Sequence, residues 1–196
     1  MSSCQIRILA LVFLLALQCY CFDSLVNSKS SAEAVALYQR LISYNGKFVL
    51  SGQTNFHYTD LVQKVGRNPV VQAFDMQNYS PHNPWYNWQP ADDGTVANAI
   101  NWYKKTNNKG IVSFHWHWFS PMGGNLRTST FYTNFTDFDV AKAVTTGTAE
   151  NNATIRDIDA IAVQLKRLQS EKIPVIWRPL HEAGGKWFWW GSKTSA

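Results

Sequence analysis

Apolar and polar positions alternate between two periods along this chain. Over 32–43, Val35, Leu37, Leu41 and Ile42 recur at helical spacing behind Ser30-Ser31, which predicts a capped helix. A short apolar run at 47–51 (KFVLS), after Asn45-Gly46, reads as a first strand, and 69–74 (PVVQAF) as a second. Residues 95–105 predict a helix capped by Thr95 or Asp93, with Ala99, Trp102 and Tyr103 on one side. A third strand is expected at 110–114 (GIVSF). The longest amphipathic pattern, 153–170, places Ile155, Ile158, Ile161, Leu165 and Leu168 at steps of three or four, and 173–177 (IPVIW) follows as a fourth strand.

Short strands separated by helices predict parallel βαβ units with both sheet faces covered. The segments after the strands are polar and aromatic, the bias of an α/β fold of the (β/α)8 barrel kind, whose chemistry sits at the C-terminal strand ends. A doubly wound sheet is the alternative, but Ser51-Gly52-Gln53-Thr54 after the first strand is no phosphate-binding glycine loop. A complete barrel takes about 250 residues, so these are expected to be its first four βα units. Half a barrel has two open parallel edges, to be closed by a further segment or by another copy.

Arg7, the apolar run 8–17 and Gln18-Cys19-Tyr20-Cys21 have the layout of a secretory signal peptide cleaved after Cys21, with an uncleaved membrane anchor as the alternative. Residues 1–21 are then the signal, and 22–196 the N-terminal part of a catalytic barrel in a secreted, extracellular protein. All three cysteines fall in the signal, so the mature chain depends on core burial rather than disulfides. Removing Arg7 leaves 17 basic against 13 acidic residues, spread along the chain rather than in a stripe, which argues against nucleic acid as a partner. Asn134 and Asn152 head glycosylation sequons in loop-like context; Asn78 heads another at a strand end, where a glycan would obstruct the cleft.

The chain has nine Trp, eight Tyr and eleven Phe, many of them clustered at 74–118 and 187–190. Large aromatics fill cores by default, but beside polar loops they also make flat faces for sugar rings. At the fourth strand end, Arg178-Pro179-Leu180-His181-Glu182 leads through Gly184-Gly185-Lys186 to Trp187-Phe188-Trp189-Trp190. Apolar neighbours would raise the Glu182 carboxyl pKa and keep it protonated as a donor; an ion pair with Arg178, four residues earlier, is the structural alternative. In Phe114-His115-Trp116-His117-Trp118 the two histidines share one face. Such a pair also suits zinc, with His181 as third ligand. Among the acidic residues other than Glu182, only Asp75 sits at a strand end. From two strands away it would serve at best an inverting mechanism.

The segment 177–191 (WRPLHEAGGKWFWWG) resembles the acid/base segment of glycoside hydrolase family 26, best known for endo-β-1,4-mannanases. The likeness extends to 49–53 (VLSGQ), to Phe74-Asp75 with Tyr79-Ser80, and to 112–121. The resemblance implies a secreted retaining hydrolase of β-mannan or a related polysaccharide, such as mixed-linkage β-glucan or β-1,3-xylan, with no cofactor and no metal. It implies Glu182 as proton donor and general acid/base, with His117, His181 and Trp187 contacting substrate. Ala183-Gly184 departs from the Met-Asn or similar pair of many members. The family's nucleophile is a Glu on a much later strand, and no residue here matches it. The chain alone is therefore expected to be inactive; a non-catalytic glycan-binding remnant is the competing expectation.

Overall fold

The computed structural model describes residues 24–54, 58–84 and 92–192. The expected signal peptide and residues 85–91 of the first aromatic cluster lie outside the described residues. The chain divides into two units, residues 1–49 and 50–196.

In the first unit, α1 (Ala32–Tyr44) starts at Ser31, whose hydroxyl accepts the Ala34 N–H at 3.2 Å. The run expected as a first strand does not form one. Lys47 N and Phe48 N both donate to Tyr44 O, at 2.9 and 3.1 Å, and the Phe48 ring meets Tyr44 edge-on. Both residues thus donate to one carbonyl that the helix end would leave open.

The second unit holds β1 (Gly52–Thr54), α2 (Tyr58–Val65), β2 (Val71–Asp75), α3 (Thr95–Lys105), β3 (Ile111–His115), α4 (Val140–Ala143), α5 (Ala149–Ser170), β4 (Val175–Arg178) and α6 (Trp189–Ser192). The sheet is parallel throughout, in the order β1-β2-β3-β4. A doubly wound sheet reverses its order at a switch point; this one advances one strand at a time, as a barrel wall does. Gly52 pairs with Val71, so β1 falls one residue beyond the apolar run. Pro69 has no N–H to donate, and the β2 ladder begins two residues later, at Val71.

Central β3 is buried from Ile111 to Phe114, as a strand covered on both faces must be. Phe74 and Phe114, paired in register, stack at 5.3 Å. Helix α3 has its expected bounds, but its N-cap is Gly94, in left-handed backbone, not Thr95 or Asp93. Its first N–H groups are taken by neighbours: Thr95 N by Asp93 Oδ1 at 2.9 Å, and Val96 N by the Tyr79 hydroxyl at 3.1 Å.

Helix α5 starts four residues before its expected bound, capped by Thr148, and its inward face overlaps the expected one at Ile161, Leu165 and Leu168. Its buried positions are Ala153, Asp157, Ile161, Gln164 and Leu168, whereas Ile155 and Ile158 are about half exposed. The inward face includes Asp157, whose wholly buried carboxylate accepts the Trp118 indole N–H at 2.8 Å. An apolar groove of about 310 Å³ is left between Ile158, Leu165, Trp177, Pro179 and Leu180. Asn134 is exposed in a 3-10 turn (Thr133–Phe135), but exposed Asn152 lies in the first turn of α5 rather than in a loop. Among the described residues, no helix is long and apolar enough to cross a membrane.

Candidate active site

The parallel register levels the C-terminal strand ends: Asp75 pairs with His115, and His115 with Arg178. His115 and His117 point to one face, as the alternation predicts, with ring centroids 5.4 Å apart. His181, three residues past the end of β4, comes back to join them. Its ring centroid lies 4.6 Å from that of His117 and 5.0 Å from that of His115. The Nε2 atoms of His117 and His181 face each other at 3.4 Å. The strand ends thus gather two of the substrate-contacting residues that the resemblance implies, from strands distant in sequence.

Asp75 is the residue whose part was not foreseen. Its Oδ2 lies 2.6 Å from His117 Nδ1 and 3.5 Å from His115 Nε2. Its Oδ1 accepts the backbone N–H groups of Gln77 and His117, each at 3.0 Å. Burial alone would raise this carboxyl, but the hydrogen bonds from His115 and His117 and the charge on those rings hold it well below the usual carboxylate range. Four engaged contacts make Asp75 a fixed acceptor, and the inverting-base role considered from sequence does not fit it. Burial is also the main influence on His181, aided by the charge of its two histidine neighbours and opposed by Asp75 and Glu182; its pKa falls to about 4.

Asp75, His115 and His117 each offer a metal-ligating atom within 4.8 Å of the others. The trio differs from the expected one, since Asp75 replaces His181. Its Asp75–His117 hydrogen bond already occupies two of the atoms that a cation would need.

Glu182 follows His181 and is exposed. The apolar surroundings expected around it are therefore not what it meets in this chain. Among the described residues it makes no ion pair with Arg178, which is itself exposed at the end of β4. Glu182 and Lys186 both take left-handed backbone, φ 56° and 62°, on either side of a 3-10 turn (Ala183–Gly185). That conformation is uncommon for side chains other than glycine. It folds the segment back so that the Trp187 indole N–H donates to Glu182 Oε2 at 3.2 Å. Gly185 is required beneath this return, because a methyl group there would meet the Trp187 ring.

Trp187 remains half exposed, as a platform must be, whereas Phe188, Trp189 and Trp190 are buried. Of the two readings of the aromatic run, the core one therefore holds for three of its four rings. Trp190 Nε1 donates to His181 O at 2.9 Å and Trp189 Nε1 to Trp118 O at 2.8 Å, so burial leaves both indoles satisfied. Most of the described aromatics between Phe74 and Trp118 are core as well, and Trp116 stacks on Trp118 with centroids 4.0 Å apart. A loop from β3 clamps the acid segment: Thr133 N donates to Trp187 O and Trp189 N to Phe131 O, at 2.9 and 3.1 Å.

Relatives of this chain share both its sequence and this fold. A mannan endo-1,4-β-mannosidase of Thermothelomyces thermophilus is 45% identical over 178 residues, covering 87% of this chain and 36% of the relative. The mannan endo-1,4-β-mannosidase A of a Piromyces species is 37% identical over 182 residues, covering 88% of this chain and 29% of its own length. Among solved structures, a Podospora anserina β-(1,4)-mannanase superposes with a TM-score of 0.77 at 41% identity, over 87% of this chain and 39% of that one. A β-mannanase from a symbiotic protist of the termite Reticulitermes speratus, complexed with gluco-manno-oligosaccharide, gives 0.74 at 33% identity, over 87% and 55%. The chain thus spans about a third of the length of the two sequence relatives, and its four strands correspond to part of their family's (β/α)8 barrel. The model of the glycosyl hydrolase family 26 matches residues 26–196, and with the strand-end histidines and the Glu182 segment in place, the chain belongs to that family.

Proposed function

We propose that this chain supplies the acid/base carboxylate and part of the sugar cleft of a secreted retaining hydrolase of β-1,4-mannan. The observation that carries the proposal is Glu182, presented at a strand end beside half-exposed Trp187 and the His117–His181 pair. Glu182 protonates the glycosidic oxygen in the first step and takes the proton of water in the second. Trp187 stacks on a sugar ring, and the histidines bond hydroxyls at the cleavage subsite. The apolar run 8–17 behind Arg7 supports secretion, and exposed Asn134 and Asn152 are the positions for N-glycans.

A retaining mechanism needs a second carboxylate about 5–5.5 Å from the first. Asp75 is committed to its histidines and two backbone N–H groups. The isolated chain accordingly binds mannan and does not cleave it. Purified chain incubated with mannohexaose, mixed-linkage β-glucan and β-1,3-xylan tests this by calorimetry and by reducing-end release. Binding of mannohexaose without hydrolysis is expected. Reducing ends released from mannohexaose would overturn the assignment of Asp75, and binding of the glucan or xylan alone would overturn the substrate.

A further inference from the structure

We infer that Asp75 is a positioning residue that locks His117 in its Nδ1–H tautomer and, through His117, sets the tautomer of His181. A carboxylate only accepts hydrogen bonds, so the 2.6 Å contact from Asp75 Oδ2 requires a proton on His117 Nδ1. The carboxylate cannot turn away, because Oδ1 is held by the Gln77 and His117 backbone N–H groups. When the His117 ring is neutral, its Nε2 then carries a bare lone pair. His181 Nε2 faces that lone pair at 3.4 Å, an attractive contact only with the proton of His181 on Nε2.

This leaves His181 Nδ1 without a proton, and that atom is buried with no hydrogen-bond partner. An unpaired acceptor is tolerated inside proteins more readily than an unpaired N–H, so the orphaned nitrogen agrees with the assignment. The depressed pKa of His181 agrees with a neutral ring as well. One carboxylate thus fixes two rings in series, and a ligand hydroxyl that takes the place of the His181 N–H would find an acceptor on His117 Nε2. The part of this inference that concerns a sugar hydroxyl rests on the mannan-binding reading; the tautomers do not.

Asp75→Asn is the discriminating variant. The two backbone N–H groups still require an oxygen, so the amide nitrogen must face His117 Nδ1 and donate to it. His117 is then driven to its Nε2–H form, opposite a second N–H on His181. Long-range proton–nitrogen correlation spectra of the imidazole-labelled 196-residue chain at pH 8 read both states, with His117 identified by the signals lost in His117→Gln. In the wild type, Nδ1 of His117 is expected to be protonated and Nε2 bare, and the two patterns exchange in Asp75→Asn. A wild-type His117 protonated at Nε2, or an unchanged pattern in a folded Asp75→Asn, would overturn the inference; the wild-type spectrum decides even where the variant does not fold. Titration with mannohexaose forms the second arm, with a loss of about tenfold expected in Asp75→Asn, a hydrogen bond's worth of affinity. Unchanged affinity beside exchanged tautomers would remove His117 Nε2 from ligand binding. A wild type that shows the expected tautomer but binds no mannohexaose sinks the mannan reading and leaves the tautomer lock standing.

Discussion

The Trp187 indole donates to Glu182 Oε2 at 3.2 Å across a turn whose two flanking residues, Glu182 and Lys186, are both left-handed. Trp187 and Glu182 are thus one unit: the backbone that strains to present the carboxylate also delivers the ring.

Gly185 keeps that unit assembled, since its missing side chain leaves room for the Trp187 ring. Gly185→Ala is expected to displace the ring and weaken mannohexaose binding, while urea unfolding shifts by about 1 kcal/mol or less, because an exposed ring can move at modest cost. Calorimetric titration beside urea melts checks both. Wild-type affinity in the alanine variant would show that the ring's seat does not matter.

Buried Asp157 joins α5 to the aromatic floor of the site. It accepts the Trp118 indole and a two-pronged contact from Arg156, whose guanidinium also reaches Pro121 O at 2.7 Å. Asp157→Ala strands a buried indole N–H and is expected to cost about 3 kcal/mol. Asp157→Asn keeps an oxygen for Trp118 and should cost less than half of that. Equal losses in chemical denaturation would mean that the charge, not the indole contact, matters.

The pH dependence has a definite sign. Unfolded His181 takes up a proton near its ordinary value of 6.5, but folded His181 only near 4. Between those values the unfolded chain holds more protons, so stability falls as pH drops from 6.5 toward 4, by up to about 3 kcal/mol. Asp75 extends the loss below its ordinary 3.8, because its folded pKa is depressed and its stabilisation disappears on protonation. Urea midpoints measured from pH 7.5 to 4 should decline in the wild type and lose much of that slope in His181→Gln.

The groove between Ile158, Leu165, Trp177 and Leu180 leaves apolar surface open beside β4. The native chain is expected to bind a hydrophobic fluorescent dye there, and Ile158→Glu with Leu180→Lys to reduce the signal severalfold. Undiminished dye fluorescence from that double variant would place the open surface elsewhere.

The legible and illegible parts of this fold separate on physical grounds. Residues 95–105 read correctly as a helix because Ala99 and Trp102 face the core and no polar residue competes for that face. Strand β1 was missed because Gly52-Gln53-Thr54 carries no apolar signal and exists through its ladder with β2. The inward face of α5 was misread in part, because a buried carboxylate, Asp157, looks like a solvent-facing residue until its indole partner is known. In the site, period-two alternation placed His115 and His117 together, and the family resemblance supplied His181, Glu182 and Trp187. Asp75 stood in plain view at a strand end, but its tie to His117 spans 42 residues and follows from register rather than from spacing. Rings 188–190 are indistinguishable from platforms in composition; only burial tells them apart.

Strand order β1-β2-β3-β4 means that every pairing joins sequence neighbours in the sheet, so the wall can grow in the direction of synthesis. Asp75 and His117 come together once β3 has docked, but His181 and Glu182 arrive only with β4. A ribosome-bound chain halted before β4 would therefore hold Asp75, His115 and His117 together, with His181 and Glu182 still to come. Glu182 is thus delivered onto groups that β2 and β3 have already oriented.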